Sequence, residues 1–315
     1  MDFNQWNEDD IKKQLEEAQK LFQKKNPEID MENRVKNNWL MFLPFVLVFA
    51  LQFGLMFMGF EFLYTWTAAT FDGSTYMDFV ERIYEVLGGT VFNLTVSVLY
   101  AAICTVAYTV WYRKKIIPGR PKRASVWKKN PLLLLVGILC FCIGAQYACT
   151  YLMNAIAILF PDWMLLYQQL MEGIGLGGDG STVTVLVALY SVILGPIAEE
   201  LTFRGVTLGY GRKAMSFWKA NVAQALLFAL LHMNPLQSLY TFVLGLLLGY
   251  IAWRSDSLLL AIVVHMVFNL VGVFGANLIV MGTNPISFFL LLLLGLVLTY
   301  AGLECINRCS YEKEE

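Results

Sequence analysis

The chain alternates long apolar runs, most of them free of charge, with polar connections. The first two runs span residues 39–60 and 86–112. Because a bilayer core about 30 Å thick needs roughly 20 apolar residues in a helix, each run is long enough to cross a membrane. The same criterion predicts an all-α, polytopic membrane helical bundle of about eight transmembrane helices. The other six lie at about 131–160, 182–210, 257–280 and 286–303, with two sharing 218–253.

The run 218–253 is tight for two helices, since two full crossings with a turn need roughly 40 residues. We therefore expect a short hairpin whose apex is the sequence HMNP at His232–Pro235. Non-helical backbone at that depth needs cover from protein or water.

The connections on either side of 86–112 carry opposite charge. The connection 61–85 is rich in Asp and Glu and contains Arg82 as its single basic residue, whereas 113–129 contains Lys and Arg but no acid. By the positive-inside rule, the basic connection faces the cytoplasm and the acidic one faces outward. Both termini are then expected in the cytoplasm, and the plasma membrane of a bacterium is the expected location.

Composition supports a membrane protein. Hydrophobic residues make up 57% of the chain and charged residues 15%, with a mean hydropathy of +0.57. Membrane lipid is therefore an expected partner. The net charge of −1 gives no global field that would favour nucleic acid, and the six cysteines show no paired CxxC spacing typical of zinc ribbons. We expect neither a nucleic-acid partner nor a disulfide framework.

Two adjacent carboxylates and an arginine interrupt the fourth apolar segment. Charge inside a membrane is costly and is usually functional. On a helix, Glu200 and Arg204 share one face at i,i+4, whereas Glu199 points about 100° away from Glu200. We therefore expect Glu200 to pair with Arg204, and Glu199 to be free to carry a proton or polarise a water. Alternatively, Gly195 and Pro196 end the helix, and both glutamates are exposed to water at the membrane surface.

The chain's two histidines, His232 and His265, both lie in predicted membrane helices, and Asn269 shares a helical face with His265. Counted at 1.5 Å per residue, these residues lie about 12 to 21 Å from the predicted cytoplasmic ends of their helices. Glu199 lies at a similar depth in the membrane. A single histidine or asparagine in a membrane helix commonly forms a hydrogen bond to a neighbouring helix. Buried polar groups in lipid seek each other, so we expect all four to surround one wet cavity suited to hydrolysis.

Three motifs lie in order on separate predicted helices: EELTFR at 199–204, FALLH at 228–232 and HMVFN at 265–269. They fit the patterns EExxxR, FxxxH and HxxxN, and together they resemble the CPBP family of intramembrane proteases. That family includes type II CAAX prenyl endopeptidases and Abi-like, bacteriocin-processing and immunity proteins. The resemblance covers about residues 130–303, which we interpret as a CPBP-like protease core. It leaves a charged amphipathic prefix at 1–37, two helices with the basic loop at 38–129, and a cytosolic tail at 304–315.

The resemblance implies an intramembrane endopeptidase that cuts a membrane-associated or lipidated peptide near the cytoplasmic side. It gives each motif residue a role: Glu199 and His232 activate water, His265 and Asn269 stabilise the oxyanion, and Glu200 and Arg204 support the site. Two other functions stay open. One is a catalytically idle immunity or scaffold protein; the other is a proton-coupled transporter, because membrane Glu and His also build proton relays.

A zinc site is the alternative to a metal-free mechanism. Glu199, His232 and His265 could supply a His2Glu ligand set with an open position for water. However, no HExxH motif places two imidazoles one helical turn apart, and Asn269 is a poor zinc ligand but a good oxyanion donor. The sequence therefore favours a site without a metal or other cofactor, and zinc is the alternative.

Overall fold

The computed structural model describes residues 8–25, 28–73, 75–118, 126–176, 184–275 and 284–310. These ranges are almost entirely helical and contain no strand, which confirms the predicted all-α membrane bundle. In chain order the helices are α1 (Glu8–Lys25), α2 (Arg34–Thr70), α3 (Tyr76–Gly88), α4 (Thr90–Ile116), α5 (Val126–Lys129), α6 (Pro131–Leu159), α7 (Pro161–Gly173), α8 (Val185–Ala214), α9 (Phe217–Leu231), α10 (Pro235–Ser255), α11 (Leu258–Phe274) and α12 (Pro285–Cys309).

Within the described residues, six helices are long and apolar enough to cross a membrane: α2, α4, α6, α8, α10 and α12. The other two predicted membrane helices correspond to α9 and α11, which are apolar but shorter, with 15 and 17 residues. The hairpin between α9 and α10 is as short as expected. Met233 adopts a left-handed φ of 50° there, and the Asn234 side chain caps α10 by accepting a hydrogen bond from Gln237 N.

Helix bounds differ from the sequence prediction where a charge or a proline lies near a helix end. Helix α2 continues past Glu61 to Thr70, because one carboxylate near the membrane surface does not end a helix. The acidic connection contains α3, whose start is fixed by a capping box between Thr75 and Asp78. A further helix, α7, begins at Pro161, immediately after α6. The predicted end of the seventh membrane helix, at about residue 280, lies outside the described residues.

Glycines bring α6 and α12 into close contact. A Cβ added at Gly302 would lie 2.3 Å from the backbone N of Phe141, and one added at Gly144 would lie 2.4 Å from that of Thr299. Gly137 and Gly295 lie at the same interface. Small residues let membrane helices approach this closely. The two backbones can therefore pack together only because these glycines have no side chains.

We expect Gly302→Val to destabilise the bundle, because the added side chain must push α6 and α12 apart. Overpacking of this kind typically costs about 1 to 3 kcal/mol. The measurement is the thermal unfolding midpoint in detergent. The matched control is Gly54→Val in α2, where an added Cβ would meet nothing within 4 Å. Equal midpoints for the two variants would contradict the proposed role of the glycines.

Basic residues from several helices gather at one end of the bundle. Lys213 Nζ donates to the carbonyl of Lys115 at 3.1 Å, and Arg34 Nε donates to the carbonyl of Ala214 at 2.9 Å. We call this end the basic rim, defined by Arg34, Lys115, Arg212 and Lys213. It joins the start of α2 to the ends of α4 and α8, and so gives the bundle a clear polarity.

Candidate active site

Helix α8, which carries the glutamate pair, contains two wide π-helical turns, at Tyr190–Leu194 and Leu201–Thr207. The first ends at Leu194, two residues before Pro196. Because proline has no N–H to donate to the preceding turn, the shift in hydrogen bonding there has a local cause. Turns of this type are frequent at functional sites. The helix continues to Ala214, so the alternative in which Gly195 and Pro196 end it is wrong.

Glu200 and Arg204 form the expected ion pair. Arg204 Nη1 donates to Glu200 Oε1 at 2.7 Å, and both side chains are fully buried. Arg204 Nη2 also donates to the carbonyl of Gly245 at 3.3 Å, and its guanidinium lies 4.3 Å from the centre of the Phe228 ring. These contacts join α8, α9 and α10, and they hold Glu200 away from any substrate.

His265 lies between the two glutamates. Its Nδ1 is 2.9 Å from Glu200 Oε1, and its Nε2 is 3.7 Å from Glu199 Oε2. A glutamate ionised by its pairing with Arg204 can only accept hydrogen bonds, so His265 Nδ1 must be the donor. This bond fixes the orientation of the imidazole ring and directs Nε2 towards Glu199.

Glu199 faces a cavity of about 1070 Å³, and its side chain is 20% exposed. His232, His265 and Asn269 line the same cavity, so the structure brings together the four residues that the sequence grouped. His232 Nδ1 lies 2.9 Å from the carbonyl of Phe228. Since a carbonyl only accepts, Nδ1 carries a proton, and in the neutral imidazole Nε2 is then an acceptor.

Asn269 Nδ2 donates to the carbonyl of Ser191 at 2.8 Å. Ser191 lies in the first π-helical turn of α8 and also lines the cavity. An amide nitrogen carries two protons, so Asn269 retains a second donor. The backbone acceptors at Ser191, Phe228 and Gly245 were missed by the sequence analysis. Only the Gly–Pro pair at 195–196 signalled an irregular backbone near the first of them.

The zinc alternative fits this arrangement poorly. Zinc-bound imidazole needs a ring nitrogen about 2.0 to 2.1 Å from the metal. Since His265 Nδ1 contacts Glu200, only its Nε2, 3.7 Å from Glu199 Oε2, is left as a candidate metal ligand on this ring. Across the described ranges, no three His, Cys, Asp or Glu side chains form a group that could hold a metal ion. A metal-free mechanism stays a prediction.

Residues 181–271 match the family model described as Rce1-like, type II CAAX prenyl endopeptidase. The matched segment includes all three motifs and runs from just before α8 into α11. It is narrower than the range of about 130–303 that the resemblance suggested. Comparisons with curated proteins and with solved structures give no match.

Proposed function

We propose that this chain cleaves a peptide bond in a membrane-associated or lipidated polypeptide, because residues 181–271 match the family model of the Rce1-like type II CAAX prenyl endopeptidases, which are CPBP membrane proteases. The observation that carries the proposal is the different placement of the two glutamates. Glu200 is buried between Arg204 and His265, whereas Glu199 reaches the cavity. One carboxylate holds the site together, and the other is available for chemistry.

In the proposed reaction, a water molecule lies between Glu199 and His232. Glu199 takes a proton from the water as its oxygen attacks the carbonyl carbon of the scissile bond. The unprotonated Nε2 of His232 accepts a hydrogen bond from the other O–H of the water, whose hydrogen stays on the oxygen, and so fixes the direction of attack. Glu199 then returns the proton to the leaving nitrogen as the C–N bond breaks, which restores the carboxylate.

The negative charge on the carbonyl oxygen needs donors, which we assign to His265 and Asn269. A protonated His265 gives the cluster a net charge of zero, since Glu199 and Glu200 balance Arg204 and His265. An imidazolium donates from both ring nitrogens, so Nε2 can serve the oxyanion while Nδ1 holds Glu200. Each such donor is worth about 3 to 4 kcal/mol in a preorganised site.

The test of the function is a comparison of protein termini in membranes that contain the wild type or Glu199→Ala. The proposal expects at least one new terminus that depends on Glu199. The matched control is Glu61→Ala, which removes an exposed carboxylate near the outer end of α2. If wild type and Glu199→Ala gave identical termini, the idle immunity or scaffold function would replace the protease.

We further expect cleavage to survive removal of metal. The protein is purified through a strong chelator, elemental analysis verifies that transition metals are gone, and cleavage of the identified substrate is assayed. Activity within about twofold of the untreated sample is expected, because Glu199 rather than a metal activates the water. Loss on stripping with recovery on stoichiometric zinc would contradict this mechanism.

A further inference from the structure

The cavity lies in the half of the bundle that is remote from the basic rim. Along α8 its lining runs from Tyr190 to Glu199, and Arg212 of the rim lies about 20 Å further along the helix at 1.5 Å per residue. On α10 the lining occupies the first half of the helix, up to Leu244. On α11 it begins at His265 and continues to Val273. Each helix therefore contributes the half that points away from the rim.

The bundle is closed between the cavity and the basic rim. Every residue of α8 from Glu200 to Gly211 is buried, including the ion-paired Arg204. A separate void beside Arg204 and Arg212 measures about 10 Å³, which is at most the space of one water. A polypeptide cannot reach Glu199 by this route.

The cavity reaches the protein surface at α7, the helix that the sequence analysis did not predict. Tyr167, Gln168, Met171 and Glu172 all line the cavity, and Gln168 and Glu172 are exposed. Helix α7 follows the end of α6 that is remote from Lys129 and the basic connection. The accessible mouth and the basic rim therefore lie at opposite ends of the bundle.

We propose that the cavity admits its substrate from the extracytoplasmic face of the membrane. The positive-inside rule places the basic rim in the cytoplasm, so a mouth at the opposite end faces outward. The substrate is then an exported polypeptide, or the outer segment of a membrane protein, and not a lipidated C-terminus presented from the cytoplasm. This inference rests on the proposed function, and it replaces the cytoplasmic side that the sequence alone favoured.

The chemistry of the lining suits a polypeptide main chain. Five amide side chains project from four helices, α2, α6, α7 and α10, and a main chain inside a membrane needs partners for its N–H and C=O groups. The amide residues are Gln52, Gln146, Asn154, Gln168 and Gln237.

Accessibility of single introduced cysteines tests the direction without any need for activity. Gln168→Cys places a thiol at the mouth, and Lys114→Cys places one at the exposed basic end of α4. A membrane-impermeant maleimide is added to intact cells, with the unsubstituted protein as blank and detergent-permeabilised cells as the measure of full labelling. We expect Gln168→Cys to be labelled in intact cells and Lys114→Cys only after permeabilisation. Labelling of Lys114→Cys alone in intact cells would overturn the proposal.

The sites of Glu199-dependent cleavage supply a second readout. Termini within extracytoplasmic segments are expected. Termini confined to cytoplasmic segments would overturn the outward direction and leave the protease function standing. A complete lack of Glu199-dependent termini would overturn the protease function, while the cysteine labelling would still decide which way the cavity opens.

Discussion

Replacing Glu199 by glutamine is expected to abolish detectable cleavage and leave the fold intact. Glutamine keeps the shape of the side chain but cannot take a proton from water. General base catalysis contributes about 10² to 10⁴ in rate, and we expect a loss of that size in kcat/KM. The fold should persist because the Glu199 side chain faces the cavity, and its contact with His265 Nε2 is 3.7 Å long.

The measurement combines a cleavage assay with the thermal unfolding midpoint of the same purified sample. Glu61→Gln removes an exposed carboxylate that does not line the cavity and should match the wild type in both readouts. Cleavage at the wild-type rate by Glu199→Gln would show that Glu199 is not the general base. Loss of cleavage together with a large drop in the unfolding midpoint would instead make Glu199 a structural residue.

Glu200→Gln and Arg204→Gln are each expected to reduce the free energy of unfolding by about 3 to 5 kcal/mol, because each leaves one buried charge without its partner. Glu200 accepts hydrogen bonds from both Arg204 and His265, so its replacement also releases the imidazole ring. Thermal or chemical unfolding in detergent measures the loss. Both variants should also lose activity, through disorder of His265 rather than through loss of the base.

The double variant Glu200→Gln/Arg204→Gln shows whether the two residues stabilise the fold as an ion pair or independently of each other. Removing both charges avoids the uncompensated charge, so its destabilisation should be clearly smaller than the sum of the two single losses. Additive losses would contradict a direct coupling. Equal destabilisation by Glu199→Gln, Glu200→Gln and Arg204→Gln would contradict the division of the two glutamates into a chemical and a structural residue.

The sequence by itself determined the helices and the contacts made within one helix. Run length predicted the positions of the six helices that are long and apolar enough to cross a membrane and of the shorter apolar helices α9 and α11, because an apolar run must span a bilayer of fixed thickness. The pairing of Glu200 with Arg204 followed from their i,i+4 spacing, because helix geometry places those two residues on one face. The three motifs also led to the family that residues 181–271 match.

Only the tertiary structure decided the contacts between helices. Glu200 and His265 are 65 positions apart, and their 2.9 Å contact depends on how α8 packs against α11. The bond from Asn269 to the Ser191 carbonyl likewise needs the π-helical turn that exposes this acceptor. Length and charge placed the polar residues at similar depth but could not show which end of the cavity is open. The open end of the cavity lies at α7, and the closed end is the tightly packed region around Arg204. Both features arise from the relative positions of several helices.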